Sequence, residues 1–168
     1  MLKKYVFNSK IELYLNLPNN EITEQADSKY QLLIFGRLTK ESPQDLLKKL
    51  KNIIADKKYS SLSMIEGEYV ILFFDKKHNK LFLFSDRFGL RKLFFHLNSE
   101  GKLLLSNDIN YIVKKMDGSV LINKKSHIEL LHFGYVLGNR TSYEDIYDVS
   151  NGSFYTFIDG KIDSHKYW

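Results

Sequence analysis

The chain contains no cysteine. That excludes a disulfide framework, a thiolate nucleophile and any cysteine-ligated zinc or iron–sulfur centre. Proline and glycine are scarce, at 2 and 9 of 168 residues, which excludes collagen-like and linker-type chains. Arginine is scarcer than the net charge of +5 suggests, with only 4 Arg beside 21 Lys. Long apolar runs are also missing. The longest, Tyr69 to Phe74, falls far below the roughly 20 residues of a membrane span. The opening Met-Leu-Lys-Lys-Tyr-Val-Phe lacks the apolar stretch of about 7–15 residues that a secretory signal needs. These absences predict a cytoplasmic protein with no membrane partner.

What is present is core material. Hydrophobic residues make up 43% and aromatics 14%, enough to exclude a disordered tail. A length of 168 residues predicts one domain spanning 1–168, since a domain takes about 150. The lysines are interspersed with acids, and no nucleic-acid-binding module is visible. The charge therefore reads as a solvated surface, with no nucleic-acid partner.

Periodicity places the elements. Short strands are expected at Lys4 to Phe7 and Ile11 to Leu17, and residues 20–28 read as a polar loop. Tyr30 to Leu38 is a strand. Ser42 as N-cap, Pro43 at the first position and Asp45 near the positive end of the dipole open a helix. Its apolar stripe is Leu46, Leu47, Leu50, Ile53 and Ile54. Glu68–Asp75 and Lys80–Ser85 form a hairpin whose alternating residues are apolar on both faces, so both faces are expected to be buried. Further hairpins turn at residues 98–101 and at Asp159-Gly160. Ser106 is expected to cap a short helix, and Ser126 with Glu129 reads as the capping box of another that ends at Gly134. The tally predicts an α+β fold with layered sheets.

Chemistry-bearing residues are few. His78, His96, His127, His132 and His165 show no metal-ligand spacing and are expected to be structural or on the surface. Asp75, Asp86 and Asp108 stand at strand ends, where a carboxylate can be catalytic but is more often a turn or cap residue. No glycine-rich phosphate cradle exists, so no nucleotide site is expected in this chain. No catalytic, cofactor-binding or metal-binding residue is assigned on these grounds.

One colinear series of motifs is nevertheless specific. It starts with Glu66-Gly67-Glu68 and the strand ending at Asp75, followed by Asp86-Arg87-Phe88-Gly89-Leu90-Arg91-Lys92-Leu93-Phe94-Phe95. Ser106-Asn107-Asp108 and Phe133-Gly134-Tyr135-Val136-Leu137-Gly138-Asn139-Arg140-Thr141 come next. Tyr143-Glu144-Asp145-Ile146, Asn151-Gly152-Ser153-Phe154 and the closing Tyr167-Trp168 complete it. This series resembles the amino-terminal class II glutamine amidotransferase domain of the asparagine synthetase family. The resemblance is clear over 66–168, faint over 30–60 and absent over 1–29. It implies an N-terminal-nucleophile fold, a four-layer αββα sandwich. It also implies a cysteine after the initiator methionine that hydrolyses glutamine, with ammonia passed to an ATP-using domain.

This chain departs from that pattern where the chemistry lies. Position 2 is Leu2. Phe35 replaces the Asn of the family's Asn-Gly-Glu, leaving Gly36-Arg37, and the family's Asp near the start of the next helix falls on or beside Pro43, which has no carboxylate for the glutamine ammonium. Lys92 replaces a Pro. Arg87 and Arg140 are expected to pair with acids and pin loops. The resemblance then implies a non-catalytic domain, as in β-lactam synthetase and lasso-peptide cyclase relatives. Its partner would be an asparagine-synthetase-like ligase domain or subunit, and ATP and Mg would serve only that partner. Exposed apolar residues among Tyr135, Val136, Leu137 and Tyr143 are expected to meet it. The alternatives are a standalone interaction or peptide-binding module, and an amidohydrolase with a Ser nucleophile such as Ser9 or Ser28.

Overall fold

A computed structural model describes residues 2–116 and 120–168. Along the chain run β1 (Leu2–Asn8), β2 (Ile11–Asn16), β3 (Ile22–Ala26), β4 (Tyr30–Leu38), α1 (Pro43–Asp56), β5 (Gly67–Asp75) and β6 (Lys80–Ser85). They are followed by β7 (Phe94–Leu97), β8 (Leu103–Ser106), α2 (Ile109–Lys115), α3 (Lys124–Phe133), β9 (Ile146–Asp148), β10 (Ser153–Ile158) and β11 (Lys161–Lys166). Short 3-10 turns lie at Asn19–Glu21 and Tyr59–Met64. The strands form two sheets and the helices are few, which is the expected α+β class. Contacts divide the chain into two compact units, Met1–Asn16 with Lys92–Ser150, and Leu17–Arg91 with Asn151–Trp168.

The second unit is a six-stranded sheet in the order β11-β10-β6-β5-β4-β3, antiparallel throughout. Helix α1 forms where expected. Ser42 Oγ accepts the Asp45 N–H at 3.2 Å and its hydroxyl donates to the Asp45 carboxylate at 2.6 Å. The stripe Leu46, Leu47, Leu50 and Ile53 packs on Leu32, Ile34, Ile71, Phe73, Phe82 and Phe84. Each such side chain contributes roughly 1.5–3 kcal/mol on burial. The opposite face of β5, Val70, Leu72 and Phe74, is buried too, so the two-sided strand is confirmed.

Residues 22–26 correct the expected loop: they are the edge strand β3, paired with β4 from Ile22↔Phe35 to Ala26↔Gln31. An edge strand needs only backbone pairing on one side, so it carries no apolar alternation to read.

The first unit is a five-stranded sheet, β1-β2-β8-β7-β9, in which β2 and β8 are parallel and the other pairs antiparallel. Ile11, Leu13, Leu15, Leu93, Leu105 and Ile112 are fully buried in it. Two caps differ from expectation. Asp108 caps α2 by accepting the Asn110 N–H at 2.9 Å, while Ser106 Oγ accepts the Asp108 N–H. Asn123 caps α3 by accepting the Ser126 N–H at 2.9 Å, so Ser126 lies inside the helix and Glu129 is released for another task. The C-cap is Gly134, as expected.

Candidate functional site

Leu2 stands at the head of β1, an edge strand, and its side chain is 47% exposed. Met1 lies outside the described residues. The early serines supply no substitute. Ser9 sits in the β1–β2 turn and Ser28 in the β3–β4 turn, both exposed, and neither heads a strand.

In the second unit Phe35 is only 1% exposed, on the sheet face opposite α1's cluster. Gly36 follows it in β4, and Arg37 pairs in register with Glu68 of β5. Pro43 is the first residue of α1, and the nearby Asp45 carboxylate is spent on the Ser42 cap. Two positions where the family pattern has polar groups are thus a buried ring and a helix-start proline.

The strand-end acids are structural, each in its own way. Asp86 is 1% exposed. Its carboxylate accepts the Phe88 N–H at 2.8 Å and the Leu90 N–H at 3.0 Å, and its carbonyl accepts the Gly152 N–H at 2.8 Å. This tight loop demands a left-handed residue, and Gly89 supplies it at φ 64°. Asp75 accepts the N–H groups of Lys77 and His78 and the His78 Nδ1–H. Burial works against ionising Asp75, yet these donors hold its carboxyl below the usual range. Asp108 is the cap already described.

The histidines behave likewise. His96 donates to the Asp145 carbonyl, His127 to that of Asn123 and His132 to that of Ile128. His165 stacks on Phe154, with centroids 5.1 Å apart. No group of three or more His, Cys, Asp or Glu among the described residues could hold a metal.

Two ion-pair locks hold loops, and the first of them escaped the sequence reading. Arg91 bridges Glu21 at 2.7 Å and Glu68 at 3.0 Å. Its partners are 70 and 23 residues away, a separation no local pattern reveals. In the first unit, Arg140 pairs with Glu129 at 2.5 Å, and Glu129 also accepts the Leu137 N–H. The Arg140 guanidinium holds the Glu129 carboxyl below its usual range. Arg140 therefore pins a loop as expected. Arg87 does not: its guanidinium lies 5.2 Å from the Trp168 ring centroid instead of on a carboxylate. Trp168 and Tyr167 donate their N–H groups to the Gly152 carbonyl, and the Tyr167 hydroxyl donates to the Ser85 carbonyl. Burial pushes the Tyr69 and Tyr167 hydroxyl pKa values up, so neither is a base near neutral pH.

A cavity of about 910 Å³ opens in the first unit, lined in part by Lys10, Glu12, His96, Lys102, Lys115 and Asp145. Its charges are mixed, and Ser9, one of the two early serines, also lines it. Where Tyr135 and Leu137 were expected on the surface they are, at 61% and 42% exposure, while Val136 and Tyr143 are half-buried. No helix among the described residues is long and apolar enough to cross a membrane.

A family profile described as a glutamine amidotransferase domain matches residues 48–168. The match starts upstream of the motif series and runs to Trp168. No curated protein matches the sequence. Among solved structures, the glutamine phosphoribosylpyrophosphate amidotransferase from B. subtilis, complexed with ADP and GMP, is 14% identical with a TM-score of 0.43. That match covers 88% of this chain and 31% of the other. A structure described as the allosteric regulatory enzyme of purine biosynthesis is also 14% identical, with a TM-score of 0.41, covering 85% and 30%. The chain thus spans less than a third of the length of either.

Proposed function

The chain belongs to the glutamine amidotransferase domain family, and from that premise we propose that it is a non-catalytic, asparagine-synthetase-like member that docks an ATP-using, amide-forming partner. Leu2 carries the proposal. Amide hydrolysis by this fold needs a side chain that adds to the carboxamide carbon and a base that takes its proton. Leucine offers only C–H bonds, and the chain holds no cysteine to replace it.

The binding positions support the same reading. A glutamine carboxamide set against the buried Phe35 ring would leave a polar group unpaired, at about 1–3 kcal/mol. Pro43 brings no carboxylate to meet the substrate's ammonium. Asp75, Asp86 and Asp108 are occupied in turns and a cap, and Arg91 and Arg140 in ion-pair locks. These groups maintain a shape.

A docking role is supported by apolar surface in the second unit. Phe88, Leu90 and Trp168 are 69%, 62% and 62% exposed, and the Arg87 guanidinium lies near the rings of both Phe88 and Trp168. Aromatic and arginine side chains together are favoured at protein contacts. ATP and Mg are assigned to the partner ligase.

Calorimetric titration of glutamine to about 1 mM tests the site, since a millimolar Kd still corresponds to about 4 kcal/mol. No saturable heat is expected. Saturable binding would contradict the non-catalytic reading of these positions.

A further inference from the structure

Residues 121–143 of the first unit form an excursion whose two ends meet. Two backbone bonds close its base, from the Glu144 N–H to the Leu121 carbonyl at 2.8 Å and from the Asn123 N–H to the Ser142 carbonyl at 3.0 Å. Ile122 and Tyr143 form an isolated antiparallel bridge there, and the Asn123 side-chain amide donates to the Glu144 carboxylate at 3.2 Å. Helix α3 and a return segment through Gly134 and Gly138 make up the rest.

The interior of this excursion is polar. Its buried residues are Asn123, Ser126, Glu129 and Thr141, and no apolar side chain within it is buried. Helices in folded proteins draw most of their stability from packing an apolar face, and an isolated helix below about 12–15 residues is marginal in water. Helix α3 has 10 residues and buries only Ser126 and Glu129. Ser126 Oγ and Arg140 Nε are enclosed without a hydrogen-bond partner among the described residues, which works against the closed form. A Cβ added at Gly134 or Gly138 would meet no described atom within 4 Å, so the return segment is not clamped at either glycine.

One carboxylate ties the two halves together. Glu129 of α3 accepts from the Arg140 guanidinium and from the Leu137 N–H at 3.0 Å, both on the return segment. The sheet of the same unit is held differently, by the fully buried Ile11, Leu13, Leu15 and Leu105. Segments with few buried apolar contacts open at free energies well below that of global unfolding.

We infer that residues 123–142 are a latched flap that opens as one unit while the sheet stays folded, with the Glu129–Arg140 pair as the latch. Opening returns a carboxylate and a guanidinium to water and uncovers no buried apolar side chain. The Arg140 side chain is 28% exposed, within reach of salt ions, so ionic strength loosens the latch. The apolar core of the sheet has no such sensitivity.

Hydrogen exchange of the full chain, read by mass spectrometry of peptic fragments, tests the inference. Amides of residues 124–137 are expected to exchange together, about tenfold or more faster than those of the central strand β8. Raising sodium chloride from about 0.05 to 1 M, where the screening length is about 3 Å, should speed this segment severalfold and leave β8 unchanged. Glu129→Gln keeps the shape and an acceptor for the Leu137 N–H while removing the charge. It should speed exchange of 124–137 about fivefold or more, abolish the salt effect and leave the urea midpoint of the chain unchanged. Arg140→Gln should act the same way, and the two substitutions together should do no more than either alone. Exchange of 124–137 in step with β8 overturns the inference, as does a lowered urea midpoint in Glu129→Gln. Fast exchange indifferent to salt and to both substitutions overturns it too, because the pair would then latch nothing.

Discussion

Gly36 and Glu68 approach so closely across β4 and β5 that a Cβ on Gly36 would stand 2.0 Å from the Glu68 carbonyl oxygen. The Gly36 backbone, at φ 112°, is also one that side-chain-bearing residues rarely adopt. The close approach recurs at Gly67, where an added Cβ would stand 2.2 Å from the Arg37 carbonyl oxygen. The glycine retained from the family pattern therefore serves strand packing here. Gly36→Ala should lower stability by about 3 kcal/mol or more, combining backbone strain with steric overlap. Urea unfolding would show this as a lower midpoint at unchanged slope. An unchanged midpoint would mean that β4 and β5 pack less tightly than described.

Helix α1 ends on Lys57, a left-handed residue at φ 54° whose N–H reaches the Ile53 and Ile54 carbonyls. Glycine adopts that conformation without a Cβ penalty. Lys57→Gly is expected to raise stability by about 0.5–1 kcal/mol, the typical scale of such backbone relief. Thermal unfolding of the two proteins side by side checks the sign.

Asp27 ties the β3–β4 turn to the rest of its unit. Its carboxylate accepts the Lys51 ammonium at 2.9 Å and the N–H groups of Lys29 and Tyr30. The Lys51 contact, helped by the backbone donors, pushes the Asp27 pKa down to about 2 from 3.8. A carboxyl with a depressed folded pKa stabilises the fold above its unfolded value, and the benefit is lost as pH falls from about 4 to about 2. The pair is partly exposed, so Asp27→Asn should cost no more than about 1 kcal/mol at neutral pH. The difference between the two proteins should shrink in high salt and vanish near pH 2. A difference that persists there would assign the effect to the backbone bonds.

Asp148 carries the opposite sign. Burial raises its pKa, and the Lys92 ammonium at 2.5 Å only partly offsets that. The folded chain then holds this proton more tightly than the unfolded chain. Stability contributed by the protonated form is full below the ordinary value of 3.8 and is lost as pH rises through the folded value. Asp148→Asn should flatten that part of the stability–pH curve. A slope that survives the substitution would point to another acid.

Legibility followed locality. Ser42, Pro43, Asp45 and the leucine stripe are neighbours in sequence, and α1 formed as read. The two-sided β5 announced itself in the same way. Strand β3 did not, because Thr23, Glu24 and Gln25 bury no apolar face and join the sheet by backbone alone. Ser126 and Glu129 fit the spacing of a capping box, yet Asn123 sits three residues before Ser126 and takes the cap. Glu129 was then free to meet Arg140, which spacing alone does not announce. Of the candidate functional positions, Leu2 in the first unit and Phe35 and Pro43 in the second are each read by place along the chain against the family pattern. The Arg91 bridge was not, because Glu21 and Glu68 reach it only once β4, β5 and the following loop are in place.

Ammonia release from glutamine by the purified chain, with the intact mass of its amino terminus recorded on the same sample, tests the central claim most directly. The account predicts release no faster than glutamine's own hydrolysis, whether the first residue found is methionine or leucine. Turnover above that background, with a terminus processed to expose a hydroxyl-bearing residue, would contradict it.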